Sequence, residues 1–359
     1  MIMKQLSIQT NSKTYDVLVG NNLLNEQYIK EFSNRESLLI IDSGVPVHIQ
    51  KEVSAILKGM SSNFSKINIE ATEENKSYKT LNLIHDKLME LKFSRECILF
   101  ALGGGITCDI TGFAASTYQR GVDFVLLPST LLSQVDASVG GKTAINHPLG
   151  KNMIGAFHQP VKVITDMSLL RSLSMRQINE GLAEVIKHSL LSGDDFFEWL
   201  YANFHNLVEI KDEELEETVY RSIEIKASIV EQDEREQGIR KILNLGHTYG
   251  HAIELYGGLG EFSHGEAVAI GMIMALNLSI EEVGLKVETA DKIKKLISKI
   301  LSEKQFQMEF KAEKLLNYMS ADKKKVGNNL NFILLSEIGK PKIVSNVDSL
   351  KIMKSMIIS

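Results

Sequence analysis

Short apolar runs that end in glycine or proline alternate with helix-like sequence in the first half of the chain. Four strands are predicted where apolar residues are continuous or alternate with polar ones, at 36–44, 63–71, 97–105 and 122–130. Between the second and third strands, residues 80–92 carry apolar side chains at helical spacing. Alternating strands and helices with glycine-rich strand ends are typical of a parallel sheet. The first half therefore predicts an α/β domain.

The pattern changes after about residue 160, where apolar residues recur at helical spacing. Helices are predicted at 168–191, 192–204 and 213–238, and further helices from 241 to about 320. Two short strand candidates, "NFILL" and "PKIV", follow. A chain of 359 residues exceeds what one hydrophobic core usually serves. We therefore predict two domains: an α/β domain at 1–165 with a parallel-rich sheet and a glycine-rich nucleotide loop, and a mostly α-helical domain at 166–359.

Composition and charge argue against several classes of protein. With 44% hydrophobic and 24% charged residues the chain is of the globular type, and its net charge of −5 indicates neither a nucleic-acid nor a membrane partner. The longest apolar run, which starts at Ala267, is too short for a membrane span and predicts a buried helix. Two cysteines and the absence of an apolar leader predict a reduced, cytoplasmic protein.

Three glycines follow the predicted strand at 97–105, immediately before a helix. Glycines there allow backbone N–H groups to approach a phosphate at the positive end of a helix. The dinucleotide fingerprint requires a further glycine three residues on, and Cys108 occupies that position, so the match is partial. The alternative interpretation is a tight turn between strand and helix that needs glycine for its shape alone.

A second glycine-rich segment, 133–152, is small and polar and is predicted to be a loop. Its "GGKT" imitates the end of a Walker A sequence, but Asp136 replaces the required first glycine, which argues against ATP chemistry. Lys142, Lys151 and Asn152 suit an anionic substrate that carries phosphate or carboxylate. A mobile surface loop without a ligand is the alternative.

The stretch "LNLGHTYGHAIE", residues 243–254, places His247 and His251 on one face of a predicted helix. Thr248 stands where the HExxH metalloprotease motif has its glutamate, so this motif does not indicate a protease. His264 stands where another predicted helix begins, and Glu184 lies within a third predicted helix. One carboxylate and two imidazoles would give zinc three protein ligands and leave a position open for chemistry.

Simpler interpretations compete with a metal site. A single histidine on an apolar helix is commonly a buried, hydrogen-bonded residue, and Glu180, Glu184 and Glu254 could all be solvent-facing helix charges. However, glycine stands beside histidine three times, in Gly246–His247, Gly250–His251 and His264–Gly265. Because glycine inside a helix costs about 1 kcal/mol relative to alanine, these pairs predict close approach of another group.

Several motifs in order resemble the 3-dehydroquinate synthase family. They are "ALGGG", "VDASVGGKTAIN", "GLAEVIKH", "LNLGHTYGHAIE" and "SHGEAVAIGM", and the resemblance covers most of the chain. It implies a homodimeric enzyme that uses NAD and Zn2+ (or Co2+) to convert 3-deoxy-D-arabino-heptulosonate 7-phosphate, an anionic small molecule, into 3-dehydroquinate and phosphate. In the family the substrate is oxidised, loses phosphate, is reduced again and closes by an aldol step, so NAD is regenerated in each turnover.

The resemblance also implies roles for individual residues. The domain at 1–165 would bind NAD, and the domain at 166–359 would bind metal and substrate. The metal ligands would be Glu184, His247 and His264. Contacts to NAD would come from Asp42, Glu73, Lys76, Gly104, Gly105, Asp109, Ser129, Thr130, Lys142 and Lys151. Catalytic residues would be Lys142, His251, Asn152, Lys187, Arg240 and Asn244. Substrate would be bound by Asp136, Lys151, Lys226, Arg120, Lys323 and Lys324, with Arg120 directed to the neighbouring subunit's site.

His251 is better interpreted as a helper than as a ligand. Glu184, His247 and His264 already supply three protein ligands, and a fourth would close the open position that catalysis requires. An acid/base or substrate-orienting role one helical turn from His247 is therefore expected for His251.

Three other functions compete with this one. They are a metal-dependent polyol dehydrogenase, a cyclase that forms another carbocycle, and a non-catalytic nucleotide-binding protein. The lysines of the second glycine-rich segment would be superfluous for a neutral polyol, which counts against the dehydrogenase.

Overall fold

A computed structural model of the protein describes residues 3–258, 261–306, 308–323 and 330–358. The strands, in chain order, are β1 (Lys4–Gln9), β2 (Thr14–Gly20), β3 (Glu36–Asp42), β4 (Asn63–Ile69), β5 (Ile98–Gly103), β6 (Asp123–Pro128), β7 (Lys142–His147), β8 (Gly150–Phe157), β9 (Lys162–Asp166), β10 (Asn331–Glu337) and β11 (Lys340–Ser345). The α-helices are α1 (Glu26–Ile29), α2 (Val47–Met60), α3 (Tyr78–Glu90), α4 (Gly105–Thr117), α5 (Met175–Ser192), α6 (Asp194–Val208), α7 (Asp212–Gln232), α8 (His247–Gly257), α9 (His264–Val283), α10 (Val287–Ile297), α11 (Glu303–Phe306), α12 (Ala312–Lys323) and α13 (Ser349–Ser355).

Seven strands form the main sheet, in the order β1-β2-β9-β6-β5-β3-β4. Only the β1–β2 pair is antiparallel, and every other neighbouring pair runs parallel. All residues of β5 are buried, as expected where both faces of a parallel sheet are covered. The predicted fold class is confirmed: a parallel-rich α/β sheet precedes a mostly helical second half.

The chain divides into two compact units, which we call the sheet unit and the helical unit. The sheet unit comprises Met1–Ser174 with Ile210–Arg235, and the helical unit comprises Met175–Glu209 with Glu236–Ser359. The sequence-based division placed α7 in the second domain, whereas α7 lies in the sheet unit because its buried side packs against β1 and β2. The assignment of NAD binding to residues 1–165 and of metal and substrate binding to residues 166–359 stays a prediction.

The second glycine-rich segment is more ordered than its composition suggested. The prediction of a loop throughout 133–152 is wrong, because β7 and β8 form an antiparallel hairpin. The buried middle of β7, Thr143–Ile145, gives the hairpin a packed side that glycines and lysines obscure in the sequence. Residues 133–137 add a short π-helical turn before it.

In the helical unit, α8 packs against α9 at a distance that only glycine permits. Gly246 precedes α8 with φ of +81°, a backbone conformation that favours glycine, so the helix begins at His247 and not at 241 as the sequence predicted. A methyl carbon at Gly271 would lie 2.2 Å from the carbonyl oxygen of Gly246. One at Gly265 would lie 2.5 Å from the backbone of Glu180. Close approach beside these histidines was predicted, and the approaching group is backbone of the same unit.

A salt bridge ties the start of α5 to the start of α9. Arg176 Nε lies 2.9 Å from Glu266 Oε1, and its Nη2 lies 2.8 Å from Oε2. Glu266 also accepts a hydrogen bond from the backbone N–H of Ser263 and completes a capping box there. The first turn of α9 is thereby fixed to α5.

No helix within the described residues combines the length and apolarity that crossing a membrane requires.

Candidate active site

A carboxylate and two imidazoles converge in the helical unit. Glu184 lies in the middle of α5, while His247 and His264 are the first residues of α8 and α9. Glu184 Oε1 is 3.7 Å from His247 Nε2 and 3.8 Å from His264 Nε2. These separations are too long for hydrogen bonds. They are close to the roughly 3.4 Å between ligands at about 2.1 Å around a tetrahedral ion.

The chemistry of this triad fits a divalent metal. Oε1 of Glu184 is fully buried and, within the described residues, accepts no hydrogen bond. The Lys187 ammonium forms an ion pair with the other oxygen, one turn along α5. Lys187 offsets part of the desolvation of this buried carboxylate, and a metal ion between Oε1 and the two imidazole nitrogens would offset the rest. One carboxylate and two imidazoles form a donor set that zinc accepts.

His247 is held in its neutral form, which is the form that binds metal. Burial lowers the pKa of His247 well below its ordinary value, and the charges of Lys187, His264 and His251 lower it further. Its position at the positive end of α8 acts in the same direction. Protons therefore compete weakly with a metal for this nitrogen.

His251 lies beside the triad without belonging to it. Its ring centroid is 5.6 Å from that of His247 and 6.3 Å from that of His264. His251 is exposed, whereas Glu184 is fully buried. This arrangement suits the helper interpretation, whose chemical role stays a prediction.

Two further predicted residues precede α8. Arg240, which is buried, and Asn244 lie on the 3-10 turn Ile239–Asn244. Asn244 Nδ2 donates to Glu236 Oε1 over 2.7 Å. Glu236 adopts φ of +58°, which is unusual for this residue type. Sequence reasoning did not select Glu236, because "DEREQG" contains three acidic residues and nothing in the sequence distinguishes Glu236 from the other two.

The sheet unit brings the predicted nucleotide residues to the carboxyl ends of its strands. Asp42 ends β3, Gly104 caps α4 directly after β5, and Ser129 and Thr130 follow β6. The chain changes direction across the sheet between β3 and β5, since β4 lies beyond β3 and β6 lies beyond β5. Ligands of open α/β sheets bind in the crevice at such a switch point.

Lys76 connects three segments of the sheet unit. Its buried ammonium lies 2.5 Å from Asp109 Oδ2 on α4 and 2.5 Å from Asn152 Oδ1 on β8. Burial raises the pKa of Asp109, and the charge of Lys76 only partly opposes that effect. Asn152 adopts φ of +56° on its strand.

Asn146 was missed by sequence reasoning and ties the hairpin to the loop before α3. Its Nδ2 donates to Glu73 Oε2 over 2.7 Å, and its backbone N–H donates to the Lys76 carbonyl over 2.7 Å. Asn146 is the last residue of the conspicuous "KTAIN" motif. The motif did not reveal its contacts, because Glu73 and Lys76 are distant from it in sequence.

The remaining predicted residues occupy different surroundings. Lys226 Nζ lies 2.5 Å from both Oδ1 and the backbone oxygen of Asp136. Lys142 begins β7 and Lys151 lies on β8, both with exposed side chains. Arg120 is exposed with φ of +70°, between Gln119 at +48° and Gly121 at +119°.

Two predicted substrate residues lie at the end of α12. Lys323 is the last residue of this helix. Its side chain, and the whole of Lys324, lie outside the described residues.

Fold and site together define a class of enzymes that combine a parallel sheet and a glycine-rich loop with a helical unit bearing a carboxylate–histidine cluster. A structure of 2-deoxy-scyllo-inosose synthase complexed with carbaglucose-6-phosphate, NAD+ and Co2+ superimposes with a TM-score of 0.90, at 26% identity and 99% coverage of each chain. A 2-epi-5-epi-valiolone synthase from Streptomyces hygroscopicus with NAD+ and Zn2+ bound gives 0.86, at 25% identity and 97% coverage of each.

Sequence comparison identifies the family. The family models for the 3-dehydroquinate synthase N-terminal and C-terminal regions match residues 66–180 and 181–325. The 3-dehydroquinate synthase of Neisseria meningitidis serogroup A is 45% identical over 353 residues, which cover 97% of each chain. The chain belongs to the 3-dehydroquinate synthase family.

Proposed function

We propose that the protein is a 3-dehydroquinate synthase, a lyase of aromatic biosynthesis. It converts 3-deoxy-D-arabino-heptulosonate 7-phosphate into 3-dehydroquinate and phosphate. The observation that carries this proposal is 45% identity to a 3-dehydroquinate synthase over 97% of both chains. The carboxylate–histidine triad supports it, because the reaction of this family requires a metal as well as NAD.

Glu184, His247 and His264 are the proposed ligands of a divalent ion, zinc or cobalt. When bound, this ion supplies a Lewis acid that polarises substrate hydroxyls. Lys187 holds the Glu184 carboxylate through its ion pair, and contact of its ammonium with the anionic substrate is part of the proposal. His251, exposed one turn beyond His247, is the proposed group that moves a proton at a substrate hydroxyl.

NAD is proposed to bind the sheet unit at the switch point between β3 and β5. When bound, it supplies a reversible hydride acceptor, so the overall reaction shows no net oxidation. Gly104 and Gly105 expose the N-terminal N–H groups of α4 to a pyrophosphate. The remaining proposed contacts are Asp42, Glu73, Lys76, Asp109, Ser129, Thr130, Lys142 and Lys151.

The substrate carries a carboxylate and a phosphate, so cationic side chains are its natural partners. In the sheet unit we assign this role to Lys142, Lys151 and Lys226, with Asp136 holding the Lys226 ammonium and Asn152 donating through its amide. In the helical unit we assign it to Lys187, Arg240, Lys323 and Lys324, with Asn244 donating through its amide.

Assembly and location complete the proposal. By membership of this family we propose a cytoplasmic homodimer in which Arg120 serves the neighbouring subunit's site. Sedimentation of the purified protein tests the dimer, and a monomer with full activity would contradict it. Mixing inactive Arg120→Ala chains with chains inactivated at Glu184 tests the shared site, because activity returns only if residues combine across subunits.

The decisive assay incubates the protein with the heptulosonate phosphate, NAD+ and Zn2+. We expect phosphate release without accumulation of NADH, and no NADH from NAD+ and glycerol. Protein that holds zinc and NAD+ yet releases no phosphate would overturn the proposal, and NADH formed from glycerol would favour a polyol dehydrogenase.

A pair of variants connects the activity to the triad. Glu184→Gln removes the ligand carboxylate, and we expect it to lose both zinc and activity. Glu281→Gln makes the same change of charge at an exposed position of α9 and is expected to retain both.

A further inference from the structure

Each imidazole of the triad faces an acceptor with the nitrogen that points away from Glu184. His247 Nδ1 lies 3.2 Å from the backbone oxygen of Leu245. His264 Nδ1 lies 3.6 Å from Glu254 Oε2, an electrostatic contact that is longer than a hydrogen bond. The opposite nitrogens, Nε2 of both rings, are the ones that face Glu184 Oε1.

This arrangement selects one tautomer of each ring. The hydrogen-bond acceptor beside His247 Nδ1 and the carboxylate charge near His264 Nδ1 both favour a proton on that nitrogen, and they leave the Nε2 lone pair to face the triad. For His247 the acceptor is a backbone carbonyl, which no side-chain substitution removes. For His264 it is the side chain of Glu254, so this half of the arrangement can be tested.

The position of Glu254 suits such a role. It follows His247 by seven residues, two turns along α8, and therefore lies on the same helical face. Its side chain is 17% exposed, while that of His264 is 34% exposed. Glu254 on α8 thus places a negative charge beside His264, the more exposed of the two triad imidazoles.

We infer that Glu254 is a positioning residue that orients His264 and sets its Nε2 toward the metal. The inference rests on the proposed metal site. Glu254 does not coordinate the ion, because it contacts the ring edge opposite the triad. Outer partners of this kind change metal affinity by about 10- to 100-fold.

The test measures zinc affinity by competition with a chromogenic chelator. Glu254→Ala removes the acceptor, and we expect its zinc affinity to fall about 10- to 100-fold. Glu254→Gln keeps an acceptor oxygen without the charge, so its affinity is expected to lie between that of the wild-type protein and that of Glu254→Ala. The control Glu281→Gln removes one negative charge from α9, as Glu254→Gln removes one from α8. It is expected to bind zinc as the wild-type protein does.

Unfolding of the zinc-free proteins separates positioning from a merely structural role. We expect zinc-free Glu254→Gln to unfold at the same urea concentration as zinc-free wild-type protein. Equal zinc affinities of Glu254→Ala and wild type would overturn the inference and leave the metal site intact, as would a weakening that zinc-free instability fully explains. Wild-type protein that binds no zinc would overturn both the inference and the proposed metal site.

Discussion

Replacing Gly271 by alanine tests whether the contact between α8 and α9 sets both stability and metal binding. The new methyl carbon would lie 2.2 Å from the Gly246 carbonyl oxygen and 2.8 Å from the Gly250 amide nitrogen. Ordinary contact begins near 3.4 Å, so the backbone of α8 must retreat by about 1.2 Å. Backbone atoms cannot swing aside as a flexible side chain can, and α8 carries His247.

The magnitude follows from two opposing effects. Alanine inside a helix is favoured over glycine by about 1 kcal/mol. Overpacking of a tight core costs about 1–3 kcal/mol, and a clash with backbone belongs at the upper end of that range. We therefore expect Gly271→Ala to destabilise the protein by about 2 kcal/mol and to weaken zinc binding, because the two ligand helices separate.

Two matched substitutions provide the scale. Gly59 lies on α2 with no atom within 4 Å of the added methyl, so Gly59→Ala is expected to leave stability unchanged or raise it by up to about 1 kcal/mol. At Gly250 the methyl would lie 3.2 Å from the Ala267 carbonyl oxygen, so Gly250→Ala is expected to fall between the other two.

Urea unfolding followed by circular dichroism and chelator competition for zinc measure the two effects. The expected order of stability is Gly59→Ala, then Gly250→Ala, then Gly271→Ala. A Gly271→Ala protein as stable as wild type, with unchanged zinc affinity, would refute the argument that the helix contact is sterically fixed.

Three other perturbations follow from charge and burial. Lys187→Met leaves the Glu184 carboxylate buried without its ammonium partner. In urea unfolding, the free energy of unfolding of the zinc-free protein is expected to fall by about 3–5 kcal/mol, and that of the zinc-loaded protein by less. Burial raises the pKa of Cys97 to about 12 and that of Cys108 further, so neither thiol is expected to react with a disulfide reagent at about pH 8 before unfolding. Burial raises the pKa of Glu266, but hydrogen bonds from Arg176 and from the Ser263 backbone outweigh burial and hold this pKa below that of an ordinary glutamate. The resulting stabilisation is present above the ordinary glutamate pKa and is lost as the pH falls through the lowered pKa, so Glu266→Gln is expected to flatten this acid-side decline.

The central strands could be predicted because their own residues carry the signal. β3, β5 and β6 are covered on both faces, so each contains a continuous apolar run whatever its neighbours in the sheet. The β7–β8 hairpin could not be recognised in this way. Its glycines and lysines suggest a loop, and only pairing between the two strands with a buried side on β7 makes it regular.

The candidate site divides along similar lines. Glu184, His247 and His264 were found because their motifs stand out in sequence, and the structure brings them together. Glu254 was weighed as a solvent-facing helix charge, because its relation to His264 depends on how α8 and α9 pack. The order of family motifs indicates which residues matter, but partners on separate helices become visible only in three dimensions.

The glycine contact between α8 and α9 also bears on how metal preference can diverge among proteins with identical ligands. His247 and His264 are the first residues of these two helices, so the spacing of the helices determines the separation of their imidazoles. A change of side-chain size at residue 246, 250 or 271 would alter that separation without changing the identity of any ligand residue. Selectivity between ions of different radius can therefore evolve through residues that never touch the ion.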